Sequence, residues 1–241
     1  MPATDLHALL RTLRVWPPDA TELRPFDPAA APADPLVLFA RWFADAVAAG
    51  QPEPHTMSLA TTDADGRPDA RIVMLHGADA DGWAFASHAT SRKGRQLAAL
   101  PYAALVLYWP VLGRQVRVRG PVEAAPSGEG QADLHARSTG ALAAALTGRQ
   151  SEPLDSLGTL ERRSREAWEQ ADSDPRTPAP TWTLYRLRPT EVEFFQGDPD
   201  RRHVRLRYET REDGGDGTGA DGTGGGTGAD GGGWRRVLLW P

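Results

Sequence analysis

Residues 57–87 read MSLATTDADGRPDARIVMLHGADADGWAFAS, and the periodicity of this stretch decides the fold class. Apolar and polar residues alternate from Met57 to Thr62, a turn follows at Asp63-Ala64-Asp65-Gly66, and the alternation resumes from Ala70 to His76. A second Asp/Gly turn then leads into Trp83 to Ser87. Successive side chains of a strand point to opposite faces, and Asp/Gly clusters supply turn conformations. Three such runs in succession predict an antiparallel meander.

The pattern changes on either side. Upstream, Asp34-Pro35 offers an N-cap followed by proline at the first helical position, and Leu36, Phe39, Phe43 and Val47 recur at helical spacing, which predicts a helix over 35–49. Before it lie a short amphipathic helix near Asp5 to Val15 and an extended arm rich in Pro, Ala and Asp over 17–35. Downstream, Thr90-Ser91 is a capping signal for a short helix ending near Leu100-Pro101. Strands are expected at 103–109 and 115–122, helices at 130–147 and 154–172, and strands again at 181–188, 191–195, 203–209 and 234–240. Helices set among antiparallel strand pairs predict a mainly β chain with added helices, a closed or split barrel and not a doubly wound parallel sheet.

At 241 residues the chain is long enough for one substantial core. We expect residues 1–33 to form an N-terminal helix and arm, and 34–241 a single domain. A net charge of −5 argues against a general nucleic-acid binder, which needs a broad basic surface. With no cysteine there is no disulfide, thiolate nucleophile or zinc–cysteine site, which suits a reducing cytoplasm. Asp5, Arg11 and Arg14 interrupt the first helical segment, so no signal peptide is expected, and the longest apolar run, Ala103 to Leu112, is broken by Pro110 and too short to span a membrane. Residues 213–233 are almost entirely Gly, Asp, Thr and Ala, a composition that cannot order itself by burial. The tract reads as a long flexible loop in a C-terminal hairpin, with calcium binding as the alternative.

Two segments concentrate positive charge. Between Arg201 and Glu209 the chain reads R-R-H-V-R-L-R-Y-E; if extended, Arg201, His203, Arg205 and Arg207 share one face and Val204, Leu206 and Tyr208 the other. Such a row attracts an anion, or alternatively marks a solvated edge strand protected from aggregation. Ser91-Arg92-Lys93-Gly94 stands at a predicted helix start directly after a strand, where backbone N–H groups, the helix dipole and two cations suit a phosphate. No spacing of His, Asp and Glu resembles a metal site; His7, His55, His88 and His135 read as surface or packing residues.

D-P-L-x-L-F-x-R-W at 34–42, R-I-V-x-L at 71–75, S-R-K at 91–93, R-Q-V at 114–116, R-Q-S at 149–151, E-F-F-Q-G at 193–197 and R-x-H-x-R at 201–205 occur in this order. Together they resemble the pyridoxamine/pyridoxine 5′-phosphate oxidase family, FMN-dependent enzymes built on a Greek-key antiparallel split barrel. The resemblance implies that Arg71, Arg92 and Lys93 bind FMN, with Ile72, Val73, Met74, Ala86, Ser87, Gln115, Gln150, Ser151, Phe195 and Arg205 as further flavin contacts. It implies a homodimer with FMN between the subunits, and Arg201 and His203 as the catalytic residues over the substrate ring. Bound FMN would take hydride from substrate and pass electrons to O2, giving hydrogen peroxide.

The chain departs from the family pattern where vitamin B6 oxidases hold the substrate phosphate with lysine, tyrosine, arginine and serine. His76, Asp133, Arg137 and Ala141 stand at those substrate-binding positions. Phe195 replaces a tryptophan, and Val204 an aspartate between the ring-facing residues. An aspartate among them repels a phosphate dianion, which implies a reduced flat heterocycle such as a dihydrophenazine carboxylate, the substrate of the family's phenazine-biosynthesis branch. The alternatives are an authentic pyridoxine 5′-phosphate oxidase and a flavin-binding protein without turnover. Arg207 receives no role.

Overall fold

The computed structural model describes residues 5–13, 23, 25–211 and 233–241. Helix α1 (Leu6–Thr12) precedes α2 (Pro35–Ala48), whose N-cap Asp34 accepts from Leu36 N–H as the sequence implies. The meander follows as β1 (Thr56–Thr62), β2 (Pro68–Met74), β3 (Gly77–Asp79) and β4 (Gly82–His88), then α3 (Arg92–Ala99). Next come β5 (Tyr102–Trp109), β6 (Arg114–Ala124), α4 (Ser127–His135), α5 (Thr139–Leu146) and α6 (Leu157–Ser173). The chain returns to strands with β7 (Trp182–Leu187), β8 (Glu191–Gln196), β9 (Val204–Thr210) and β10 (Trp234–Leu239).

Every strand pair is antiparallel, in the order β10-β9-β8-β6-β5-β1-β2, with β4 joining β3 to β7. The curl is set by β6: residues Arg114 to Arg119 pair with β8, and Val122 to Ala124 pair with β7. Gly120 lies between the two registers, where a Cβ would stand 1.9 Å from the carbonyl oxygen of Arg188. Glycine at such a corner lets one strand serve two sheets.

Alternation puts Leu59, Phe85, Leu105, Leu107, Val116, Val118, Val192, Phe194, Leu206 and Tyr208 into one core. Helix α2 closes it: Phe39 meets Trp83 edge-on at 5.6 Å and Trp42 meets Phe194 edge-on at 5.2 Å. The face it buries is Leu38, Phe39, Trp42 and Ala46; Val47, which the helical spacing placed with Phe39, is exposed. Arg114 is also buried here, satisfied by Asp45 at 2.8 Å, Gln196 at 2.8 Å and the face of Trp42 at 4.4 Å. Leu134, Leu142, Ala143, Ala145, Ala171 and Ala179 form a second, helical cluster.

Four expectations change. The helix predicted over 130–147 is two helices, because Ser138 caps α5 by accepting from Ala141 N–H. Strand β2 ends at Met74, so His76 lies beyond it, and part of the expected second turn forms the short β3. Helix α1 stops at Thr12; residues 14 and 15 of the expected helix, residues 17–22 and 24 of the arm, and residues 213–232 of the expected loop lie outside the described residues. Strand β9 begins at Val204; Arg201 has a left-handed φ of 65° and closes a turn onto Asp198 O, so Arg201 and His203 leave the period-two row.

Gly120→Ala is expected to cost about 3 kcal/mol through overpacking against fixed backbone, read as a lowered melting temperature. Gly128→Ala, where no atom lies within 4 Å of the added carbon, should leave stability unchanged or slightly raised.

Candidate active site

The joint between β4 and α3 gathers the first group of predicted residues. Ser91 caps α3 by accepting from Gly94 N–H, and a Cβ at Gly94 would stand 2.5 Å from His88 O and 2.4 Å from Ala89 O. Beside it Lys93 faces inward: it is 9% exposed and donates to Ser87 Oγ at 2.9 Å and Gln150 Oε1 at 2.8 Å. Ser87 Oγ donates to the same Gln150 oxygen at 3.0 Å, and Arg92 N–H donates to Ser151 Oγ at 3.2 Å. On β2, Arg71 donates to Thr61 Oγ1 at 2.6 Å and Gln96 Oε1 at 3.0 Å, and pairs with Asp69 at 2.8 Å. Asp69 also pairs with Arg92 at 3.2 Å.

Arg71 and Arg92 both pair with Asp69, while the hydrogen-bond partners of Lys93 are neutral, so three cations stand against one carboxylate in this cluster. Burial pushes the Lys93 ammonium below its usual range, the Arg71 charge pushes it further, and Asp69 offsets this only in part. The hydrogen bond from Gln96 holds the Asp69 carboxyl below its usual range, with help from Arg71 and Arg92. Thr61 and Gln96, both buried, and Asp69 form a supporting ring that sequence reasoning missed. Gln96 had a legible signal: it is one helical turn from Arg92 and Lys93 on α3. Ile72 and Met74 are exposed on the outer face of β2, Val73 packs against the core, and Ala86 pairs with Leu184 on the next strand.

The second group sits elsewhere on the sheet. Gln115, Phe195 and Arg205 lie in register across β6, β8 and β9. Arg205 is gripped by the buried Glu193, from Nε at 3.0 Å and Nη2 at 2.8 Å, and Arg207 pairs with Glu191 and Glu209. Arg205 and Arg207, which alternation suggested as part of an anion trap, are therefore ion-paired, in a ladder whose glutamates they share with Arg117 and Arg235. The His203 ring lies 5.2 Å from the Phe195 ring, and its Nδ1 accepts from Asp198 N–H at 3.0 Å. A neutral His203 so held carries its proton on Nε2. Among non-glycine described residues, Glu53, Ser151 and Arg201 have left-handed φ; two of the three are predicted site residues, where such strain concentrates.

A third cluster joins the end of β2 to α4. His76 Nδ1 meets Asp133 Oδ1 at 3.1 Å and Oδ2 at 3.0 Å, while Arg137 grips the same carboxylate from Nη2 at 3.0 Å and Nε at 3.2 Å. Ala141 is half-buried on α5, and its N–H serves the Ser138 cap. Burial pushes His76 below its usual range against the pull of Asp133. Burial would raise Asp133, but Arg137 and His76 together hold it low.

The family model for pyridoxamine 5′-phosphate oxidase matches residues 43–171, and the model for the pyridoxine 5′-phosphate oxidase C-terminal dimerisation region matches 182–241. A pyridoxine/pyridoxamine 5′-phosphate oxidase of Burkholderia multivorans is 48% identical over 182 residues, 76% of this chain and 85% of that protein. The chain belongs to the pyridoxamine 5′-phosphate oxidase family. It is an FMN-dependent oxidoreductase with O2 as acceptor, which sets aside the non-catalytic reading. The oxidase of Bordetella pertussis is 45% identical over 179 residues, 74% of this chain and 84% of that one. Among solved structures, PhzG from Burkholderia lata 383 in complex with tetrahydrophenazine-1-carboxylic acid matches with a TM-score of 0.77 at 31% identity, covering 91% of this chain and 99% of that one. An FMN-binding protein of Nostoc punctiforme related to these oxidases shares the fold, with a TM-score of 0.60 at 21% identity over 84% of this chain and 97% of that one.

The split-barrel fold expected from the sequence is the one found. The dimerisation-region match supports a homodimer. No helix among the described residues is long and apolar enough to cross a membrane, and no group of three His, Asp or Glu among them could hold a metal ion. The β4–α3 cluster fits a phosphate monoester: its surplus charge matches a dianion, and its hydroxyl, amide and N-terminal backbone donors suit phosphate oxygens.

The cluster at His76 carries a pH dependence. A histidine whose folded pKa lies below its unfolded value contributes fully above about pH 6.5, and that contribution is lost as pH falls. Asp133, also depressed, acts only near and below pH 3.8. The melting temperature should therefore fall more steeply between pH 7 and pH 5 in the wild type than in His76→Asn; parallel curves would show that His76 titrates normally.

Proposed function

We propose that this enzyme oxidises a flat, reduced nitrogen heterocycle, with the FMN phosphate held by Arg71, Arg92 and Lys93 and contacted by Ser87, Gln150 and Ser151. The observation that carries this reading is the buried Lys93 ammonium, held in a cluster with surplus positive charge at the start of α3. Bound FMN supplies the two-electron acceptor that takes hydride from substrate and is reoxidised by O2. The protein's own part is positioning. Gln115, Phe195 and Arg205 offer a polar edge, an aromatic face and an oriented guanidinium. Arg201 and His203 lie over the substrate ring, His203 donating from Nε2 to a ring acceptor. Strands β8 and β2 are separated by four strand spacings, about 19 Å along the sheet. This distance supports a site completed across the homodimer, one subunit bringing the phosphate cluster and the other the β6–β8–β9 row.

For the substrate, the relatives' sequences favour pyridoxine or pyridoxamine 5′-phosphate, since the Burkholderia multivorans oxidase so named covers 76% of the chain at 48% identity. A dihydrophenazine-type carboxylate is the second reading. It is favoured by the Asp133 carboxylate between His76 and Arg137, and by the ligand of the Burkholderia lata protein.

Hydrogen peroxide release from pyridoxine 5′-phosphate and from a dihydrophenazine carboxylate, assayed side by side on FMN-loaded protein, tests the function and separates the substrates. Release from neither would end both readings. Arg92→Ala combined with Lys93→Ala should weaken FMN binding by about 100-fold, two charge-assisted contacts being lost; unchanged flavin affinity would refute the phosphate assignment. Arg201→Ala should keep the yellow cofactor and lose turnover.

A further inference from the structure

Arg114 is a buried cation that neither the flavin contacts nor the substrate contacts use. The face of Trp42 covers its guanidinium at 4.4 Å, and its charge is met by Asp45 of α2 at 2.8 Å. A buried ion pair is a poor source of stability, since apolar residues of similar volume do as well or better. What this one fixes is Gln196, the last residue of β8. Arg114 Nε donates to Gln196 Oε1 at 2.8 Å, and Gln196 Nε2 donates in turn to Leu112 O at 3.0 Å and Gly197 O at 3.2 Å. A guanidinium only donates, so it dictates which end of the amide faces it and leaves the NH2 end for the two carbonyls. Gly197 opens the turn that carries Arg201 and His203, and its N–H donates to Gly113 O at 2.8 Å. Within the turn, Arg201 N–H donates to Asp198 O at 2.9 Å and Asp198 N–H to His203 Nδ1 at 3.0 Å. Those inner bonds shape the turn; its placement on the sheet comes from Gln196 and Gly197, which tie its root to the corner between β5 and β6.

We propose that Arg114 is a positioning residue for the oxidation: by orienting the Gln196 amide it holds the root of the 197–203 turn, and with it Arg201 and His203, in place for the substrate. This rests on the reading of Arg201 and His203 as the residues over the substrate ring. A misplaced turn costs rate even when every contacting side chain is intact, because the reacting groups must be held close to one geometry. Arg71, Arg92 and Lys93 stand on β2 and α3, away from this corner. Loosening the turn therefore affects the approach of substrate and leaves the holding of the flavin phosphate as it was.

The two halves of the reaction separate this role from a merely structural one. Flavin reduction is followed anaerobically with pyridoxine 5′-phosphate or a dihydrophenazine carboxylate, whichever reduces the wild type, and reoxidation by O2 is followed on chemically reduced enzyme. Arg114→Met keeps the packing against Trp42 and leaves the part-exposed Asp45 to water. Its flavin reduction should slow at least about tenfold through loss of the charge-assisted bond to Gln196, with reoxidation and FMN affinity within about twofold of wild type. Reduction at the wild-type rate overturns the proposal, and so does a parallel fall in all three quantities. Hydrogen exchange on the FMN-loaded protein needs no turnover: the amides of Gly197, Asp198 and Arg201 should exchange about tenfold faster in Arg114→Met, and those of Arg92, Lys93 and Gly94 as in the wild type. Unchanged exchange at the turn overturns the proposal even if activity falls. Should Arg114→Met fail to fold, Gln196→Glu reads the same link, because it keeps an acceptor for Arg114 and loses both donated bonds; the same two signatures are expected, and their absence has the same force. Arg201→Ala, run alongside, tells the two readings apart. Normal flavin reduction in Arg201→Ala means the substrate role of the turn has failed, whereas slow reduction there and normal reduction in Arg114→Met means only the role of Arg114 has.

Discussion

Burying the Lys93 ammonium commits the rest of the site. A charge taken out of water must be met by hydrogen-bonding groups or lose its proton, and here it is met by Ser87 from β4 and Gln150 from the loop beyond α5. Segments about sixty residues apart are held together by that need. Glycine at 94 permits this packing: a Cβ there would meet the backbone oxygens of His88 and Ala89 at 2.5 and 2.4 Å, so α3 can start this close to the end of β4 only without one. Because Arg71 stands beside it and only Asp69 opposes the three cations, the cluster remains positive. A protein gains nothing in stability from such an arrangement. Its surplus charge is suited to an anion.

The barrel supplies the complementary half by register. Strand β6 serves two sheets, and its bend at Gly120 sets which residues of β8 and β9 fall beside Gln115. The buried Glu193 then aims Arg205, through two bonds to one carboxylate oxygen. Arg207 instead pairs with two acids, Glu191 on β8 and Glu209 on its own strand, so both arginines of β9 are ion-paired. Phosphate cluster and sheet row stand at different places on one curled sheet. The site proposed above would need a two-fold partner to bring them together.

Much of this was legible because its signals are local. The period-two runs from Met57 to Ser87, the Asp34-Pro35 cap and the Ser91 cap depend on neighbours in the chain and were found where expected. The misplacements had physical causes. Ser138 is a capping serine inside an Ala-rich stretch, and its signal was outweighed by the helix propensity around it. Arg201 and His203 looked like strand residues by spacing, yet the turn onto Asp198 takes them off the strand. Val47 kept the four-residue spacing of Phe39 and Phe43, but each such step overshoots a full turn by about 40° and carries it off the face of Leu38, Phe39, Trp42 and Ala46 that meets the core.

By itself the sequence determined the fold class, the family resemblance and the residue types available for an anion, because alternation, capping and motif order are properties of the chain. It could also flag Asp133 as foreign to a phosphate site. Only the tertiary structure decided how charges pair. Whether an arginine faces a glutamate across two strands, or an aspartate sits between a histidine and an arginine from different elements, depends on register and helix placement that no local pattern encodes. That is why Arg205 and Arg207 changed from a row of exposed cations into an ion-paired ladder, and why Lys93 changed from a surface helix start into the buried centre of a polar cluster.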